Sequence, residues 1–564
     1  MDQLQSCENA IYSEEYFDYI LDVGGNVEAA RRKYNPDCIQ IIDGNLIAMY
    51  REEDGAFSFS TFGYGAVPKC YGLLESSNIE ATGVFQVRER PGFSLLGSGV
   101  LVGFVDGGID YTNELFRYSN GRTRILSIWD QTQPDGTPPP GLFYGTVYTR
   151  EEIDLALEST VPLSVVPVRD TDYHGSFAAA IAVGNVSIQE NFSGMAPGAE
   201  LIVVKVKEAK KNLRDFYGIE EGVHCYQEND IMLGVRYLWE QSQRLRRPIV
   251  IYIGMGTNSG SHSGANLFSA MLNRFSNVSG TVVVTGAGNE GNLGHHFSNT
   301  LSGMERREIE LNIEKQKSMT LEIWTDSISE LRVGIIAPDG DSSGIVTLRQ
   351  EEQRLEFVFY ETKIYVYYER VEYYSGEEVI VLRMFGLEEG IWRIQVYNLS
   401  RNENTFQIWL PMERFVDKQT RFLQPSPDVI VCNPGNAYQI ITAGAYNHRN
   451  GSIDINSSRG FTVNGAVKPD FVAPGVEVYG PVSPLGYGFR TGSCIAAAHT
   501  AGAAALLLEW AIVKGNNLAM NTVVAKNYLI RGVTESIEEA PSKSFGWGYL
   551  NIYETFASLR EQFR

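Results

Sequence analysis

Positive charge is scarce in this 564-residue sequence, where 47 lysines and arginines face 68 aspartates and glutamates, giving a formal net charge of −21. A surface this acidic repels phosphate backbones and anionic lipids, so the sequence predicts neither nucleic acid nor membrane as a partner. No run of about 18 consecutive apolar residues is present to span a bilayer. The N-terminal segment also lacks a basic stretch followed by an apolar one, so no signal peptide is predicted.

Cysteine is rare as well. The six cysteines lack the spacing of a zinc or redox motif and stand at Cys7, Cys38, Cys70, Cys225, Cys432 and Cys494. Without a predicted export signal, we expect all six to be reduced thiols. His295 and His296 are adjacent but have no third ligand in the sequence, so we expect them in a surface loop. The sequence therefore predicts neither a metal site nor a cofactor.

The length of the chain exceeds one ordinary core, and its patterns predict several domains. Residues 1–75 show helical spacing and two short strands, and then an extended Gly-rich stretch, which indicates a small α+β unit. Residues 76–302 and 414–564 alternate apolar strands with amphipathic helices, which predicts one α/β domain with a parallel sheet. Residues 303–413 alternate apolar and polar positions without helical spacing, so we expect an inserted all-β sandwich.

Four polar residues follow strands or begin helices in the α/β parts. Asp106 ends a strand in VGFVDGGIDY, His174 precedes a small-residue helix in DYHGSFAAA, Asn289 follows a strand in VVVTGAGNEGN, and Cys494 opens an apolar helix in RTGSCIAAAHTAG. Acyl transfer needs a carboxylate to orient a histidine, a histidine to move the nucleophile's proton, and a donor for the oxyanion. Taken singly, each is open to a structural role, as a turn aspartate, a packing histidine, a cap or an inert buried thiol. His499 is expected to be a packing residue inside the last helix.

Together these segments resemble the subtilase family, since FVDGGID, HGS and GAGNEG match its aspartate, histidine and oxyanion motifs, and KPDFVAPGVEV and GWGYLNIYETF match further stretches. The resemblance implies a subtilisin-like parallel sheet with flanking helices and the activity of an endopeptidase. It implies that Asp106 orients His174, that His174 acts as base and then acid, and that Asn289 donates to the oxyanion. It places the substrate along Gly254, Met255, Gly256, Gly286, Ala287 and Gly288, although the first three stand where the family usually has Ser-Leu-Gly.

Cys494 falls on the position of the family's catalytic serine when the motif is counted back from His499. Using Ser493 instead would need a slip of one residue at a helix start, which rotates the side chain by roughly 100°. The helix dipole and a neighbouring imidazole favour a thiolate, so we expect the Cys494 sulfur within hydrogen-bonding reach of His174. Because sulfur is larger than oxygen, a site shaped for serine should then favour ester cleavage over peptide cleavage.

The layout is similar to that of the Csp-type germination proteases, which have an N-terminal prodomain, a subtilase core and an inserted jelly-roll-like β domain. This implies that residues 1–75 are a prodomain, which acts as the chain's own chaperone and inhibitor. It also implies a protein or peptide substrate, with a spore cortex-lytic hydrolase zymogen as the candidate, and a cytoplasmic or spore-associated location. Some members of that group are pseudoproteases, so two functions stay open: an endopeptidase, and a binding or regulatory scaffold without turnover.

Overall fold

The computed structural model of the chain describes residues 2–52, 57–73, 80–89, 93–326, 328–346, 352–357, 361–535 and 538–562. The predicted boundary near residue 75 falls between these ranges and lies outside the described residues.

The N-terminal unit is a small sheet with helices. Its elements are α1 Asp2–Tyr12, β1 Tyr16–Asp22, α2 Val27–Tyr34, β2 Cys38–Ile41, β3 Leu46–Glu52, α3 Phe59–Phe62 and β4 Cys70–Leu73. The antiparallel strands are arranged β1-β3-β2, and β4 leaves this sheet for another. A disulfide joins Cys7 in α1 to Cys38 in β2, so the expectation that all six cysteines are reduced is wrong. This disulfide forms because α1 packs against β2. The spacing of the cysteines in the sequence gives no sign of that packing.

The first part of the α/β domain alternates strands and helices. Its elements are α4 Val84–Glu89, β5 Leu101–Asp106, β6 Ile125–Asp130, β7 Thr146–Thr149, α5 Arg150–Glu158, α6 His174–Val183, β8 Glu200–Lys205, α7 Lys211–Tyr217, β9 Tyr226–Gln227, α8 Glu228–Leu245, β10 Ile249–Ile253, β11 Met255–Gly256, α9 Leu267–Ser276 and β12 Thr281–Gly286. The buried strands β5, β10 and β12 are apolar along almost their whole length, as expected for parallel strands covered on both faces.

Two antiparallel sheets follow. Their strands are β13 His296–Leu301, β14 Arg306–Ile313, β15 Ser318–Asp326, β16 Leu331–Ile336, β17 Gln353–Glu356, β18 Lys363–Glu369, β19 Glu377–Phe385, β20 Gly390–Asn398, β21 Asn404–Trp409 and β22 Arg421–Phe422. One sheet has the order β13-β21-β15-β19-β18-β17 and the other β16-β20-β14-β22. Alternate side chains such as Leu321, Ile335 and Trp392 share one buried apolar cluster, which holds the two sheets together. The strands begin before residue 303 and end after residue 413.

The α/β pattern then resumes with β23 Ile441–Tyr446, β24 Phe471–Pro474, β25 Val478–Ser483, β26 Gly486–Arg490, α10 Ser493–Leu508, α11 Thr522–Arg531 and α12 Ile552–Gln562. Strands from both parts form one eight-stranded sheet with the order β24-β23-β12-β10-β5-β8-β6-β7. All neighbouring pairs in it are parallel except β6 and β7.

The helix α10 lies in the centre of the α/β domain, and every one of its residues is buried. With the turn that follows, Ser493–Val513 is long and apolar enough to cross a membrane, and within the described ranges no other helix meets that test. Because 89% of its apolar window is buried inside the protein, it also fits the core helix of a folded domain. His499 is buried within this helix, as predicted, with Nδ1 against the Ile495 carbonyl.

Buried polar contacts tie the N-terminal unit to the α/β domain. Lys210 Nζ donates to Asp18 Oδ1 at 2.5 Å, and Gln227 and Asn229 donate to the other oxygen of the same carboxylate. Asp18 is 4% exposed and Lys210 is also 4% exposed, so each charge depends on the other for compensation. If the N-terminal unit separated from the α/β domain, Asp18 and Lys210 would lose each other and would have to be hydrated.

An aromatic stack joins the α/β domain to the sandwich. The Trp409 ring stacks with both His262 and His296, with ring centroids 4.1 and 5.1 Å away and planes within 8° and 11° of parallel. Burial lowers the pKa of His262 to about 3 and that of His296 to about 4. The expectation that His295 and His296 form a surface loop is wrong, because the sandwich covers both and they are 1% and 0% exposed.

This stack predicts acid sensitivity. In the unfolded chain, His296 becomes protonated as the pH falls below the ordinary histidine pKa of 6.5. In the folded chain it stays neutral down to about pH 4. The free energy of unfolding therefore falls as the pH falls between those two values. Each such histidine contributes a slope of about 1.4 kcal/mol per pH unit. We expect His296→Gln to make the urea-derived pH profile shallower by about that amount. His224→Gln, which removes a half-exposed histidine, is the control, and equal slopes for wild type and His296→Gln would contradict the prediction.

Candidate active site

The carboxyl ends of three neighbouring strands bring the predicted site residues together. Asp106 is the last residue of β5, Gly254 follows β10, and Gly286 ends β12. These strands are adjacent and parallel, so their ends meet at one edge of the sheet. The N-terminus of α10 faces the same edge, since Gly286 packs against Ser493.

Asp106 and His174 form a buried pair. His174 Nδ1 lies 2.9 Å from Asp106 Oδ1 and 3.0 Å from Oδ2, and the two residues are 4% and 0% exposed. Because Nδ1 donates to the carboxylate, Nε2 is the ring nitrogen left to exchange a proton. Nε2 is buried, and no residue in the described ranges forms a hydrogen bond with it. The pair can therefore act as an oriented base.

The close packing around Asp106 and His174 is possible because two neighbouring positions are glycines. A Cβ on Gly175 would lie 2.2 Å from the Gly108 carbonyl, and a Cβ on Gly254 would lie 2.0 Å from Asp106 Oδ2. The Asp106 carboxylate thus uses the space that a side chain at position 254 would fill. Sequence reasoning noted that Gly254 departs from the family's serine, and the structure gives this departure a steric consequence.

Asn289 contacts the start of α10. Its Oδ1 accepts a hydrogen bond from the Ser493 amide at 2.9 Å, which fixes the side chain and leaves Nδ2 to donate. Ser493 Oγ accepts a hydrogen bond from the Gly288 amide at 3.0 Å, so this hydroxyl points to the loop that follows β12. Both contacts support the register that gives Cys494, and not Ser493, the nucleophile position.

Cys494 is the second residue of α10 and is 1% exposed. Gly492, just before the helix, has φ of +151°, a conformation that L side chains rarely adopt. The Tyr252 hydroxyl donates to the Cys494 carbonyl at 3.0 Å. Burial raises the pKa of Tyr252 well above its usual range, and the Cys494 thiol and the Asp106 carboxylate raise it further. Cys494 therefore lies beside Tyr252, and the predicted hydrogen bond between its sulfur and His174 Nε2 is not formed in this structure.

The strand β4 of the N-terminal unit lies in the cleft beside this site. It pairs antiparallel with β11 on one side, where Leu73 and Gly72 face Met255 and Gly256. On the other side it pairs antiparallel with β9, where Cys70 faces Gln227. Met255 and Gly256, two of the predicted substrate-binding residues, thus hold an extended backbone by strand pairing.

Sequence reasoning missed several supporting residues. Glu290, next to Asn289, is 3% exposed, and its carboxylate accepts from His295 Nδ1 at 2.6 Å and from the Glu413 amide at 3.1 Å. The Glu413 contact fastens the loop that carries Asn289 to the sandwich. Tyr252 was also missed because it reads as one more apolar strand residue. In GAGNEG, an acidic residue next to the oxyanion asparagine was the available signal for Glu290.

A second carboxylate lies close to the pair. Asp170 Oδ2 accepts hydrogen bonds from the Ser176 amide and hydroxyl, both at 2.7 Å. Burial raises the pKa of Asp170, and the neighbouring Asp106 raises it further. Among the residues that the structure describes, no group of three or more histidines, cysteines or acidic residues could hold a metal ion.

The comparisons with known proteins agree with this fold. The model of the subtilase family matches residues 97–319 and 424–548. A solved structure of the CspB protease of Clostridium perfringens is similar at a TM-score of 0.77 and 30% identity, over 86% of this chain and 97% of that one. A search of the curated proteins finds no match to this chain.

Because the Asp106 carboxylate fills the space beside Gly254, even a methyl group at position 254 should destabilise the protein. Gly254→Ala would push the Asp106 carboxylate off His174, and we expect it to lower the free energy of unfolding by about 2 kcal/mol. Gly44→Ala is the matched control, because nothing lies within 4 Å of a Cβ there; it should change stability by less than about 0.5 kcal/mol. Urea denaturation of the two variants measures both values, and equal effects would refute the steric account.

Proposed function

Because this chain belongs to the subtilase family, we propose that it is an endopeptidase that cleaves a protein substrate with Cys494 as its nucleophile. The observation that carries the proposal is the buried Asp106–His174 pair, which lies at the same sheet edge as the Asn289 loop and the start of α10. A carboxylate, a histidine and an amide donor so arranged are the parts that acyl transfer requires.

Four residues have distinct roles in the proposed reaction. His174 Nε2 takes the proton of the Cys494 thiol, and the sulfur attacks the scissile carbonyl carbon. Asn289 Nδ2 donates to the carbonyl oxygen as it becomes negative. His174 then returns the proton to the departing amine, which leaves a thioester that water hydrolyses with His174 again as base. Asp106 holds the imidazole in the tautomer that these steps need.

The thiol sets the limits of the activity. Cys494 is 1% exposed in a site whose glycines leave little spare volume, and sulfur is larger than oxygen. A thiolate also leaves a tetrahedral intermediate more easily than an amine does. Peptide cleavage should therefore be weak and ester cleavage comparatively better.

The N-terminal residues 1–75 serve as a prodomain in this proposal. The strand β4 pairs with both edges of the cleft, as an extended substrate would. The buried Asp18–Lys210 contact gives the unit a further anchor on the α/β domain. Together they support a role as intramolecular inhibitor and folding template, while the sandwich forms the inserted jelly-roll-like domain.

The likeness to the CspB protease suggests the biological process in which the proposed endopeptidase acts. Csp-type proteases act in spore germination, and the substrate we propose here is the zymogen of a spore cortex-lytic hydrolase. The corresponding location is cytoplasmic or spore-associated.

A non-catalytic scaffold is the second candidate. It is favoured by two observations: within the described residues nothing forms a hydrogen bond with His174 Nε2, and Cys494 lies beside Tyr252. A protein with this arrangement would bind a partner through the cleft or the sandwich without turnover.

Thiol alkylation separates the two candidates. In the endopeptidase, iodoacetamide should label Cys494 at least about tenfold faster than Cys432, because only Cys494 is activated by a base. His174→Ala should remove that advantage. Peptide mapping by mass spectrometry reads both residues in one sample, and Cys432 is an internal control of similar burial, at 1% exposed.

The variant Cys494→Ser adds a gain-of-function arm, since restoring the serine should raise peptide cleavage if the other groups are competent. Labelling of Cys494 no faster than that of Cys432, together with an inactive Cys494→Ser variant, would reject the endopeptidase and leave the scaffold.

The prodomain role predicts a folding defect on truncation. Residues 76–564 expressed alone should not regain the native circular dichroism spectrum after dilution from urea, because β9 and β11 then lack β4 between them. Residues 1–75 supplied as a separate chain should restore refolding. Refolding of the truncated chain at the rate of the full chain would refute the template role.

A further inference from the structure

Two thiols face each other where the N-terminal unit meets the cleft. Cys70 lies in β4 opposite Gln227, and Cys225 lies two residues before Gln227, directly preceding β9. Side chains two residues apart on a strand share a face, so the two cysteines are diagonal neighbours across the strand pair. They are 2% and 0% exposed and belong to one apolar cluster.

The Cys225 thiol also lies near enough to Cys70 to affect its ionisation. Burial raises the pKa of the Cys70 thiol well above its usual range, and the neighbouring Cys225 thiol raises it further. Both cysteines are reduced in this structure. Neither takes part in the chemistry proposed for Cys494, and they come from different units: Cys70 from the N-terminal unit and Cys225 from the α/β domain.

We propose that Cys70 and Cys225 form a redox-controlled cross-link that fastens β4 into the active-site cleft. The oxidant is a low-molecular-mass disulfide of the glutathione class. One cysteine thiolate attacks this disulfide, which gives a mixed disulfide and releases one small thiol. The second thiolate attacks the protein sulfur of the mixed disulfide and expels the other small thiol. Overall, two protein thiols become one disulfide, and one small disulfide is reduced to two thiols.

Burial decides when the exchange takes place. Since both sulfurs are enclosed, the small disulfide reaches them while β4 is separated from β9, during folding or during local opening of the strand. Once formed, the link lies on the β9 side of β4 and keeps the strand beside β11. That effect on the active site rests on the proposed inhibitory role of β4, whereas formation of the link does not.

The test uses the full chain refolded in glutathione buffers from fully reduced to fully oxidised. After acid quenching and alkylation, non-reducing peptide mapping should find the Cys70 and Cys225 peptides joined and lighter by two hydrogen atoms than the separate pair. The Cys7–Cys38 disulfide is an internal standard for oxidation. Cys70→Ser and Cys225→Ser should each abolish the new link, and Cys432→Ser should leave it unchanged. Absence of the link at every ratio that forms Cys7–Cys38 would overturn the proposal.

A second readout measures the hold on β4 without relying on activity. Hydrogen exchange at the amides of residues 70–73 and of Met255 and Gly256 should slow at least about tenfold in the linked chain relative to the reduced one. The Cys225→Ser chain should show no such difference between the two buffers. A link that forms without slowing this exchange would overturn the fastening role. Failure of the proposed nucleophile appears separately, as native-state iodoacetamide labelling of Cys494 that is no faster than that of Cys432.

Discussion

The hydrogen bond between Asp106 and His174 is the interaction on which the site depends, and it exists because glycines make room for it. Gly175 lets α6 start against the loop after β5, and Gly254 leaves the volume that the Asp106 carboxylate occupies. Gly286 in turn brings β12 against Ser493 and thereby sets the start of α10. A parallel sheet supplies the common edge, and the missing side chains let carboxylate, imidazole and helix approach one another.

The other two bodies of the protein constrain this edge from outside. The sandwich contacts the loop that carries Asn289 through the Glu413 amide, which donates to Glu290. The N-terminal unit fills the cleft with β4 and holds its place through Asp18 and Lys210. Because these contacts are buried and polar, loss of either partner leaves the other uncompensated. The surroundings of the site are therefore set jointly by three parts of the chain.

Sequence reasoning reached the family and the parallel α/β fold, because strand ends and helix starts carry motifs that survive without knowledge of tertiary contacts. Asp106, His174 and Asn289 could be named for that reason. The Cys7–Cys38 disulfide could not, since it needs the packing of α1 on β2. The burial of His295 and His296 depends on strands of the sandwich far along the chain. Tyr252 and Glu290 likewise acquire their roles from distant partners that local patterns do not contain.

In the proposed mechanism, Asp106, His174 and Asn289 act together on an acyl carbon through Cys494. Its most direct test is trapping of the acyl intermediate: the protein is incubated with an activated p-nitrophenyl ester, quenched in acid and mapped by mass spectrometry. The account predicts one acyl group per chain, on Cys494, and none on that residue in His174→Ala. An acyl group on Ser493, or no acylation of Cys494 in the wild-type chain, would contradict it.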